Sequence, residues 1–461
     1  MIFMQNEPTK ATAGGATRRD FIKTTAAAAA AVATTNLFKT PVYGQATAPS
    51  AGRVIGANDR IVCGFIGLGN QGLNSHLKPV VAGAQQNNVA VAAVCDVSKT
   101  RVAEALKAAG AEAKGFDDYR KLLELKEVDA IFCSTVDHWH GRVSVDSMNA
   151  GKHVYVEKPM TRYLGEAFEV ADTVKKTGRV FQVGSQGCSD LKWHKAAQWI
   201  REGKIGPVVM SQGSYMRNNK KGEWNYTIQP WATASDINWQ AWLGSTIKKR
   251  KEFDADDYFR WRKYYQYCAG LLSDLFPHKL HPYMLATGNP EFPKRVAAVG
   301  SKSVHTDKLT PGTPERDVPE IIQLIAEFPS GMVMHITSSS VNEQGTSEMI
   351  RGHMASLYMG GNKVELKPEK PFSEDMDPET SEAFPAESIP PHHKNFFDGV
   401  RGAGKLNCGI DLALKVQTVV SLGEMSERLN TMCLFDEKTR KITDGCGKEL
   451  QPLTYGTMDI S

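Results

Sequence analysis

A short apolar segment that runs into a glycine-rich turn constrains the fold of this chain more than any other feature. Residues 61–66 are apolar, and Gly67-x-Gly69-x-x-Gly72 follows at once. In a strand-to-helix turn, this spacing permits a tight bend, lets a pyrophosphate approach the backbone and brings the next helix close to the strand. The alternative is a purely structural turn in another α/β protein. The pattern predicts a dinucleotide-binding turn whose contacts come from Gly67, Leu68, Gly69, Asn70, Gln71 and Gly72.

A second buried-strand pattern, residues 89–95, ends at an acid. Asp96 stands 24 residues after Gly72, near the distance expected for the carboxylate that binds the adenosine ribose hydroxyls. Its charge would repel a 2′-phosphate, so the sequence favours NAD. Lys99 and Arg101 lie close by in sequence, which leaves NADP open.

The N-terminal residues 1–48 have the pattern of a twin-arginine signal peptide. Arg18-Arg19 precedes an alanine-rich run, residues 26–33, and a small-residue cleavage site, residues 46–48. A disordered basic tail is the alternative. We expect export to the periplasm or the exterior. Because this route carries folded proteins, a nucleotide cofactor should already be bound and tightly held.

Composition indicates an ordinary soluble globular protein of two to three domains. The 461 residues are 41% hydrophobic and 23% charged, with a net charge of +4. Residues 1–48 hold five Lys/Arg and two Asp/Glu, so the remainder is near neutral. The charge gives no reason to expect nucleic acid or an anionic membrane as partner. The alanine-rich run is too short to span a bilayer, and we expect no membrane anchor after cleavage.

The cysteines indicate buried side chains rather than a metal site. Cys63, Cys95 and Cys133 fall in predicted strands and are interpreted as small buried hydrophobic residues. No CxxC pair indicates zinc. A disulfide between Cys433 and Cys446 stays open at this stage.

Strand and helix patterns alternate from residue 60 to 185, which predicts a parallel sheet covered on both faces. The predicted strands are 61–66, 89–95, 129–135, 153–156 and 180–184, and the clearest helices are 100–109 and 164–177. The prediction is an NAD(P)-binding Rossmann domain over 60–185.

After residue 186 the pattern changes to a second α/β domain, predicted over 186–390. Helices are predicted near 189–203 and 267–287, and strands near 208–216, 294–304, 319–328, 331–341, 349–358 and 362–367, which suggest one antiparallel sheet. Residues 391–461 are predicted to form C-terminal helices and a tail that packs back toward the Rossmann domain.

Polar residues follow the ends of two predicted Rossmann strands. Thr135, His138 and His140 follow one strand, and Glu157-Lys158 follows another. Ligands of parallel sheets lie at the carboxyl ends of the strands, so these five residues are predicted cofactor contacts. A partly buried Lys158 ammonium would also bind a substrate hydroxyl group; the alternative is a solvated loop lysine.

An aspartate and a histidine stand four residues apart in the predicted helix 267–287. Asp274 and His278 would share one helical face. A carboxylate beside an imidazole fixes its tautomer, and oxidation of an alcohol needs such a base to take the hydroxyl proton. The alternative is a pair that ties the helix to a loop.

These motifs together resemble the Gfo/Idh/MocA oxidoreductases over nearly the whole chain after the signal. The matching features are the glycine turn, Asp-His-Trp-His at 137–140, Glu-Lys-Pro at 157–159, Asp274-x-x-x-His278, and the segment from His393 to Asp398. The resemblance implies an N-terminal Rossmann domain followed by an α/β domain with a large open, mostly antiparallel sheet, and we expect a homo-oligomer through that sheet. It also implies hydride transfer between a secondary alcohol of a sugar or cyclitol and NAD or NADP. The implied roles are His278 as acid–base, Asp274 as its orienter or a substrate ligand, and Lys158 as substrate ligand.

Two departures from the family pattern concern the substrate side. The helix motif begins Ala269-Gly270 where two glycines are common, and His281 stands where an aspartate is common. His281 is therefore a candidate substrate contact. Aromatic and basic residues that would stack on or clamp a pyranose add four further candidates, with ordinary packing as the alternative for each: Trp224, Tyr226, Arg260 and Trp261, the last two in Arg260-Trp261-Arg262.

Three functions remain open from the sequence. The first is a sugar or cyclitol oxidoreductase. The second is a redox-neutral glycosidase resembling glycoside hydrolase family 109, which would need an extra base from His138, His140 or His281. The third is a non-catalytic binder. No metal is predicted, although His138 with His140, or His392 with His393, leaves one conceivable.

Overall fold

The computed structural model describes residues 60–247, 252–305 and 315–456. The predicted signal peptide, residues 1–48, lies outside the described residues. Among the described helices, none combines the length and the apolar character needed to cross a membrane.

Six parallel strands form the N-terminal sheet, in the order β3-β2-β1-β4-β5-β6. The strands are β1 (Ile61–Ile66), β2 (Val89–Cys95), β3 (Lys114–Phe116), β4 (Ala130–Cys133), β5 (His153–Glu157) and β6 (Phe181–Gly184). The associated helices are α1 (Gln71–Leu77, π-helical), α2 (Lys78–Ala82), α3 (Ala84–Asn87), α4 (Lys99–Ala109), α5 (Tyr119–Leu123), α6 (Asp137–Asn149) and α7 (Leu164–Thr177). This arrangement confirms the predicted Rossmann architecture. The edge strand β3 was not predicted, because three mostly exposed residues carry no hydrophobic pattern.

The cysteines of the predicted strands are buried in this sheet. Cys63, Cys95 and Cys133 are each no more than 3% exposed, which confirms their interpretation as buried hydrophobic residues. All eight cysteines are free thiols. Cys433 is buried and Cys446 is exposed, so these two do not form a disulfide.

A second sheet of twelve strands follows, in the order β15-β14-β13-β12-β7-β10-β9-β8-β16-β17-β18, with β11 paired to β7. Its strands are β7 (Val208–Asn218), β8 (Arg295–Ser301), β9 (Ile321–Glu327), β10 (Val333–Ser339), β11 (Val341–Asn342), β12 (Met349–Gly352), β13 (Ala355–Tyr358), β14 (Glu365–Pro368), β15 (Glu379–Thr380), β16 (Cys433–Asp436), β17 (Lys441–Asp444) and β18 (Glu449–Leu450). The sheet is mostly antiparallel, as predicted, but β7 and β10 run parallel. The predicted strand 349–358 is in fact the hairpin of β12 and β13.

The remaining helices are α8 (Leu191–Arg201), α9 (Trp239–Leu243), α10 (Ala255–Arg260), α11 (Leu271–Asp274), α12 (Pro277–Ala286), α13 (Pro390–Val400) and α14 (Ile410–Leu429), with 3-10 turns at Gln186–Ser189, Trp261–Lys263 and Lys370–Phe372. Among these helices, α11, α12 and α14 contact strands of this sheet. Helix α14 packs against α7, α12 and β8, and α13 packs against α2. The last three strands extend the second sheet, and this part of the chain also contacts the Rossmann domain. Phe435 stacks on Phe168, Arg440 pairs with Asp172, and the Tyr455 hydroxyl donates to the carbonyl oxygen of His138.

The predicted single helix over 267–287 is wrong. The chain forms α11 and α12 with a break between Asp274 and Pro277. Proline has no N–H and cannot donate to the carbonyl group four residues earlier, so a helix starts more readily at Pro277 than it continues through it. Asp274 and His278 consequently lie on different helices.

A buried ion pair ties the Rossmann domain to α14. The guanidinium group of Arg162 donates to both oxygens of Glu424, at 2.6 and 2.8 Å, and to the carbonyl oxygen of Tyr265 at 2.6 Å. The side chain of Arg162 is 0% exposed and that of Glu424 is 2% exposed. A bidentate pair of this kind fixes two elements in direction as well as in distance.

Replacing Arg162 with alanine should lower the free energy of unfolding by about 3 kcal/mol, because Glu424 would lose its bidentate partner inside the protein. Urea unfolding measures this change. The matched control is Arg440→Ala, which removes the exposed pair with Asp172 (3.2 Å) and should cost less than about 1 kcal/mol. Equal losses of unfolding free energy in the two variants would contradict a special stabilising role for the buried pair.

Candidate active site

A cavity of about 1320 Å³ lies between the carboxyl ends of the Rossmann strands and the second domain. The glycine turn, Asp96, Lys158, Asp274 and His278 all line it. This volume exceeds the roughly 300–1000 Å³ of a typical small-molecule pocket. It is large enough for a dinucleotide together with a small ligand.

The glycine turn has the geometry that its spacing predicts. Gly67 has a φ of +88°, and a Cβ there would lie 2.5 Å from the backbone of Ser134. A Cβ on Gly72 would lie 2.0 Å from the carbonyl oxygen of Gly67. At Gly69 the nearest atom would be 3.7 Å away, on Arg101. The fold therefore requires glycine at 67 and 72, whereas at 69 the space is open, as the approach of a pyrophosphate would require.

Asp96 lines the cavity and also holds the glycine turn in place. Its Oδ2 accepts a hydrogen bond from the Leu68 backbone N–H at 2.7 Å, and its Oδ1 accepts one from that of Ser98 at 2.9 Å. The Arg101 guanidinium lies 4.7 Å from the ring centroid of Tyr258. The residues present fit a dinucleotide: the turn would hold its pyrophosphate, and Asp96 would hold its ribose.

The other predicted cofactor contacts divide into two groups. Asn70, Gln71, Thr135, His140, Glu157 and Lys158 line the cavity, as does Gly69. His138 does not: its Nε2 lies 2.9 Å from the carbonyl oxygen of Trp242, and its ring packs against Trp242 and Tyr267. Burial lowers the pKa of His138 to about 3. The predicted contact between His138 and cofactor or substrate therefore has no support in the geometry, because the side chain turns into the aromatic core.

His140 lines the cavity, and each of its ring nitrogens lies near a backbone carbonyl oxygen. Nδ1 lies 2.7 Å from the carbonyl oxygen of Pro159, and Nε2 lies 3.2 Å from that of Thr135. The imidazole thus braces the loops after β4 and β5. The Lys158–Pro159 peptide bond, in the loop after β5, is cis.

Glu157 is the centre of a buried polar network that the sequence did not predict. Its Oε1 accepts from Gln71 Nε2 at 2.9 Å and lies 2.7 Å from His76 Nε2, and His76 Nδ1 lies 2.8 Å from His393 Nε2. Its Oε2 accepts from the Lys158 backbone N–H at 3.0 Å. Burial opposes ionisation of Glu157, but His76 and the Lys158 charge outweigh it and lower its pKa to about 2. The C-terminal segment with His393 thereby supports the loop that carries Lys158.

Lys158 and Asp274 form an ion pair across the two domains. Lys158 Nζ donates to Asp274 Oδ1 at 2.7 Å and to its backbone carbonyl at 2.8 Å. Arg262 Nε donates to the same Oδ1 at 3.0 Å, and Trp224 Nε1 donates to Oδ2 at 3.1 Å. Burial opposes ionisation, but Lys158 and Arg262 hold the pKa of Asp274 well below its usual range. Burial likewise opposes the charge on Lys158, and Asp274 and Glu157 outweigh it and raise the Lys158 pKa.

This geometry argues against one of the two roles that the resemblance implied for Asp274, that of orienting His278. Among the described contacts its carboxylate binds Lys158, Arg262 and Trp224, and it makes no hydrogen bond to His278. The helix break at Pro277 separates the two residues. Asp274 therefore orients the ammonium group, and not the imidazole.

His278 lines the cavity on the second-domain side, next to Tyr215 with ring centroids 5.2 Å apart. Burial and the Lys158 charge lower its pKa to about 3. The ring is therefore a neutral imidazole, which can accept a proton while the nearby Lys158 ammonium stabilises negative charge on an oxygen.

The predicted substrate contacts are only partly at the cavity. Tyr226 and Trp261 line it. Trp224 is 1% exposed and holds Asp274 instead of offering a ring face to a sugar. Arg260 binds Asp256 and the Tyr226 carbonyl, which shapes the loop. His281 is 2% exposed, and its Nδ1 lies 3.0 Å from the Pro277 carbonyl oxygen, so it too turns away from the cavity.

Sequence reasoning missed several residues that the fold brings to this site. Tyr215, Arg217, Gln229 and Asp137 line the cavity with Arg262. Asp137 stands in the Asp-His-Trp-His segment after β4 and Arg262 in Arg260-Trp261-Arg262, although sequence reasoning assigned neither a separate role. The positions of Tyr215, Arg217 and Gln229 depend on how the domains meet, and no local pattern marks them. Among the described residues, no group of three or more His, Cys, Asp or Glu side chains is arranged to hold a metal ion.

Comparison with known proteins identifies the N-terminal domain. Residues 61–185 match a family model described as "Oxidoreductase family, NAD-binding Rossmann fold". The fold and the cavity thus define an NAD-binding Rossmann domain joined to an α/β domain. Residues 61–185 are thus similar to the NAD-binding domain of the Gfo/Idh/MocA oxidoreductases.

Curated relatives match part of the chain. A glycosyl hydrolase family 109 protein from Saccharopolyspora erythraea is 30% identical over 215 residues, which cover 44% of this chain and 46% of that protein. An alpha-N-acetylgalactosaminidase from Shewanella oneidensis is 27% identical over 233 residues, covering 45% and 49%. The chain spans about half the length of the curated relatives it matches.

A solved structure supports the fold of both domains. A levoglucosan dehydrogenase in complex with NADH and levoglucosan superposes with a TM-score of 0.61 at 16% identity, covering 84% of this chain and 99% of that chain. This likeness confirms the predicted fold class, a Rossmann domain followed by an α/β domain with a mostly antiparallel sheet.

His278 should stay neutral between about pH 8 and about pH 5, because its folded-state pKa is about 3. Histidine ring signals in ¹⁵N NMR test this, and a His278→Gln variant assigns the resonance. We expect flat chemical shifts across that interval. A midpoint near the ordinary value of 6.5 would contradict the burial and charge argument.

Proposed function

We propose that this protein is an NAD-dependent oxidoreductase that transfers hydride between a secondary alcohol of a sugar, sugar derivative or cyclitol and a tightly bound nicotinamide cofactor. One observation carries the proposal. The glycine turn with Asp96 and the group of Lys158, Asp274 and His278 line a single cavity. A dinucleotide site and an acid–base group are thus within reach of one ligand.

Each side chain has a separate role in the proposed reaction. Bound NAD supplies the hydride acceptor. The neutral His278 imidazole takes the hydroxyl proton, and the Lys158 ammonium stabilises the negative charge that develops on the oxygen. Asp274, which accepts a hydrogen bond from Arg262, keeps that ammonium in place. Tyr226 and Trp261 offer aromatic surface to the carbohydrate.

A second candidate is a redox-neutral glycosidase that resembles glycoside hydrolase family 109. Such an enzyme would oxidise a sugar carbon only transiently. The names of the curated relatives favour it. It needs a further acid–base group. His138 and His281 do not line the cavity, and both ring nitrogens of His140 face carbonyl oxygens, so the three histidines considered for this role give it little support.

A panel of sugars, cyclitols and nitrophenyl glycosides, with and without added NAD, separates the two candidates. We expect NADH to accumulate with at least one sugar or cyclitol, and His278→Ala to lower kcat/KM by about 10²–10⁴. The matched control is His353→Ala, an exposed histidine outside the cavity. Release of the aglycone without net NADH would support the glycosidase instead. Full activity of His278→Ala in both assays would contradict the proposed base.

We also propose that the chain is exported by the twin-arginine route with its cofactor in place, in the periplasm or outside the cell. Residues 17–23 supply the motif.

A contact between the two domains supports tight binding of the cofactor. Segment 229–247 of the second domain packs on the Rossmann domain beside the cavity. Asp236 accepts hydrogen bonds from Thr100 N–H at 3.0 Å and from Ser98 Oγ at 2.5 Å. The Asn238 N–H donates to the Val97 carbonyl at 2.9 Å.

The purified mature protein should therefore carry nucleotide, and Asp236→Ala should speed NADH dissociation by about tenfold, because the closing contact is lost. Stopped-flow fluorescence measures the rate. Asp172→Ala, an exposed surface change, serves as control. Mature protein that holds no nucleotide and binds NADH only weakly would rule out a resident cofactor.

A homo-oligomer through the open face of the second sheet remains a proposal. Val299 on β8 is 76% exposed and Ile325 on β9 is 52% exposed. Exposed apolar side chains on neighbouring strands support an interface there.

A further inference from the structure

Asp137 lines the same cavity but has no role in the arrangement described so far. It is the first residue of α6, directly after the loop that follows β4, and it is 3% exposed. Its Oδ2 is shielded from solvent and has no hydrogen-bond partner among the described residues. Buried carboxylate oxygens are nearly always paired in native proteins, since an unpaired one is costly. The position therefore indicates a partner that the described residues do not supply.

The neighbouring cationic side chains donate to Asp274, and no described hydrogen bond joins them to Asp137. Lys158 and Arg262 donate to Asp274 at 2.7 and 3.0 Å. The ring nitrogens of His140 face the carbonyl oxygens of Pro159 and Thr135. Since Asp137 lines the cavity, a ligand bound there can supply a hydrogen bond to its carboxyl group.

The surroundings of Asp137 indicate which end of the cavity it serves. The charged groups that act on it are His140, Arg262, Asp274 and Lys158. Three of these belong to the acid–base end of the cavity, and none belongs to the glycine turn or to the Asp96 end. Asp137 thus faces the part of the cavity where the reacting alcohol would bind.

A hydroxyl group is the ligand chemistry that suits this carboxyl group. Burial raises the pKa of Asp137, and the Asp274 charge adds to that effect, whereas His140, Arg262 and Lys158 oppose it. A hydroxyl group both donates and accepts, so it pairs with a carboxyl group in either protonation state.

We propose that Asp137 binds a second hydroxyl group of the carbohydrate, in addition to the one that Lys158 and His278 engage. The proposal rests on the function proposed above. Two anchoring points on one sugar ring fix its orientation, so Asp137 would help to select which carbon is oxidised.

Asp137→Asn and Asp137→Ala test the proposal in the mature, NADH-loaded protein. The control is Asp411→Asn, because Asp411 is also a first-turn acid of a long helix but is 77% exposed on its side chain and lies outside the cavity. The probe is the sugar or cyclitol with the highest activity in the panel. Saturation-transfer NMR measures its binding, steady-state kinetics give kcat and KM, and fluorescence gives the Kd for NADH.

We expect Asp137→Ala to raise the KM and the Kd of the sugar by about tenfold or more, with the Kd for NADH and the Tm unchanged. Asp137→Asn, which keeps the shape of the side chain, should show a smaller rise, and Asp411→Asn should show none.

Wild-type sugar affinity in both Asp137 variants would overturn the proposal, and so would a loss of NADH affinity without a loss of sugar affinity, since the carboxyl group would then serve the cofactor. These failures differ from failure of the proposed function. If the wild-type protein neither binds nor oxidises any member of the panel, both proposals fall. If the wild type is active and the Asp137 variants match it, only the role of Asp137 falls.

Discussion

The ion pair between Lys158 and Asp274 is the interaction on which the rest of this site depends. It joins the loop after β5 to α11 with a 2.7 Å contact between nearly buried groups. Removing two charges from water is expensive, and the pair is tolerable because further hydrogen bonds complete it. Arg262 and Trp224 supply these bonds to Asp274. The two domains are thus joined at the place where the cavity needs a fixed positive charge beside His278.

A second layer of polar contacts supports the first and explains why the C-terminal segment matters. The Glu157 carboxylate contacts Gln71 in the glycine turn and His76 in α1. His76 in turn contacts His393 in α13. One buried network therefore holds together the glycine turn, the loop that carries Lys158, and α13. A network of this kind is stabilising only while every member is satisfied.

Local patterns predicted most of the Rossmann domain, and tertiary contacts account for what they missed. Strands and helices with a clear period, such as α7 at Leu164–Thr177, match the prediction residue for residue, because burial on one face leaves its mark on the sequence. The helix over 267–287 failed at Pro277, and with it the expected Asp274–His278 pair. His138 was indistinguishable from its neighbour His140 in sequence, yet only His140 lines the cavity. Tyr215 and Arg217 gain their places at the cavity from the meeting of two domains, which no short pattern encodes.

A double-mutant cycle on hydride transfer tests most directly whether Lys158 and Asp274 act as one unit. Single-turnover rates would be measured for Lys158→Met, Asp274→Asn and the double variant, with the sugar that the wild type oxidises best. If Asp274 works by holding the Lys158 ammonium, the double variant should be about as slow as the Lys158→Met variant. Rate losses that multiply in the double variant would show that the two residues act independently, and would contradict the account.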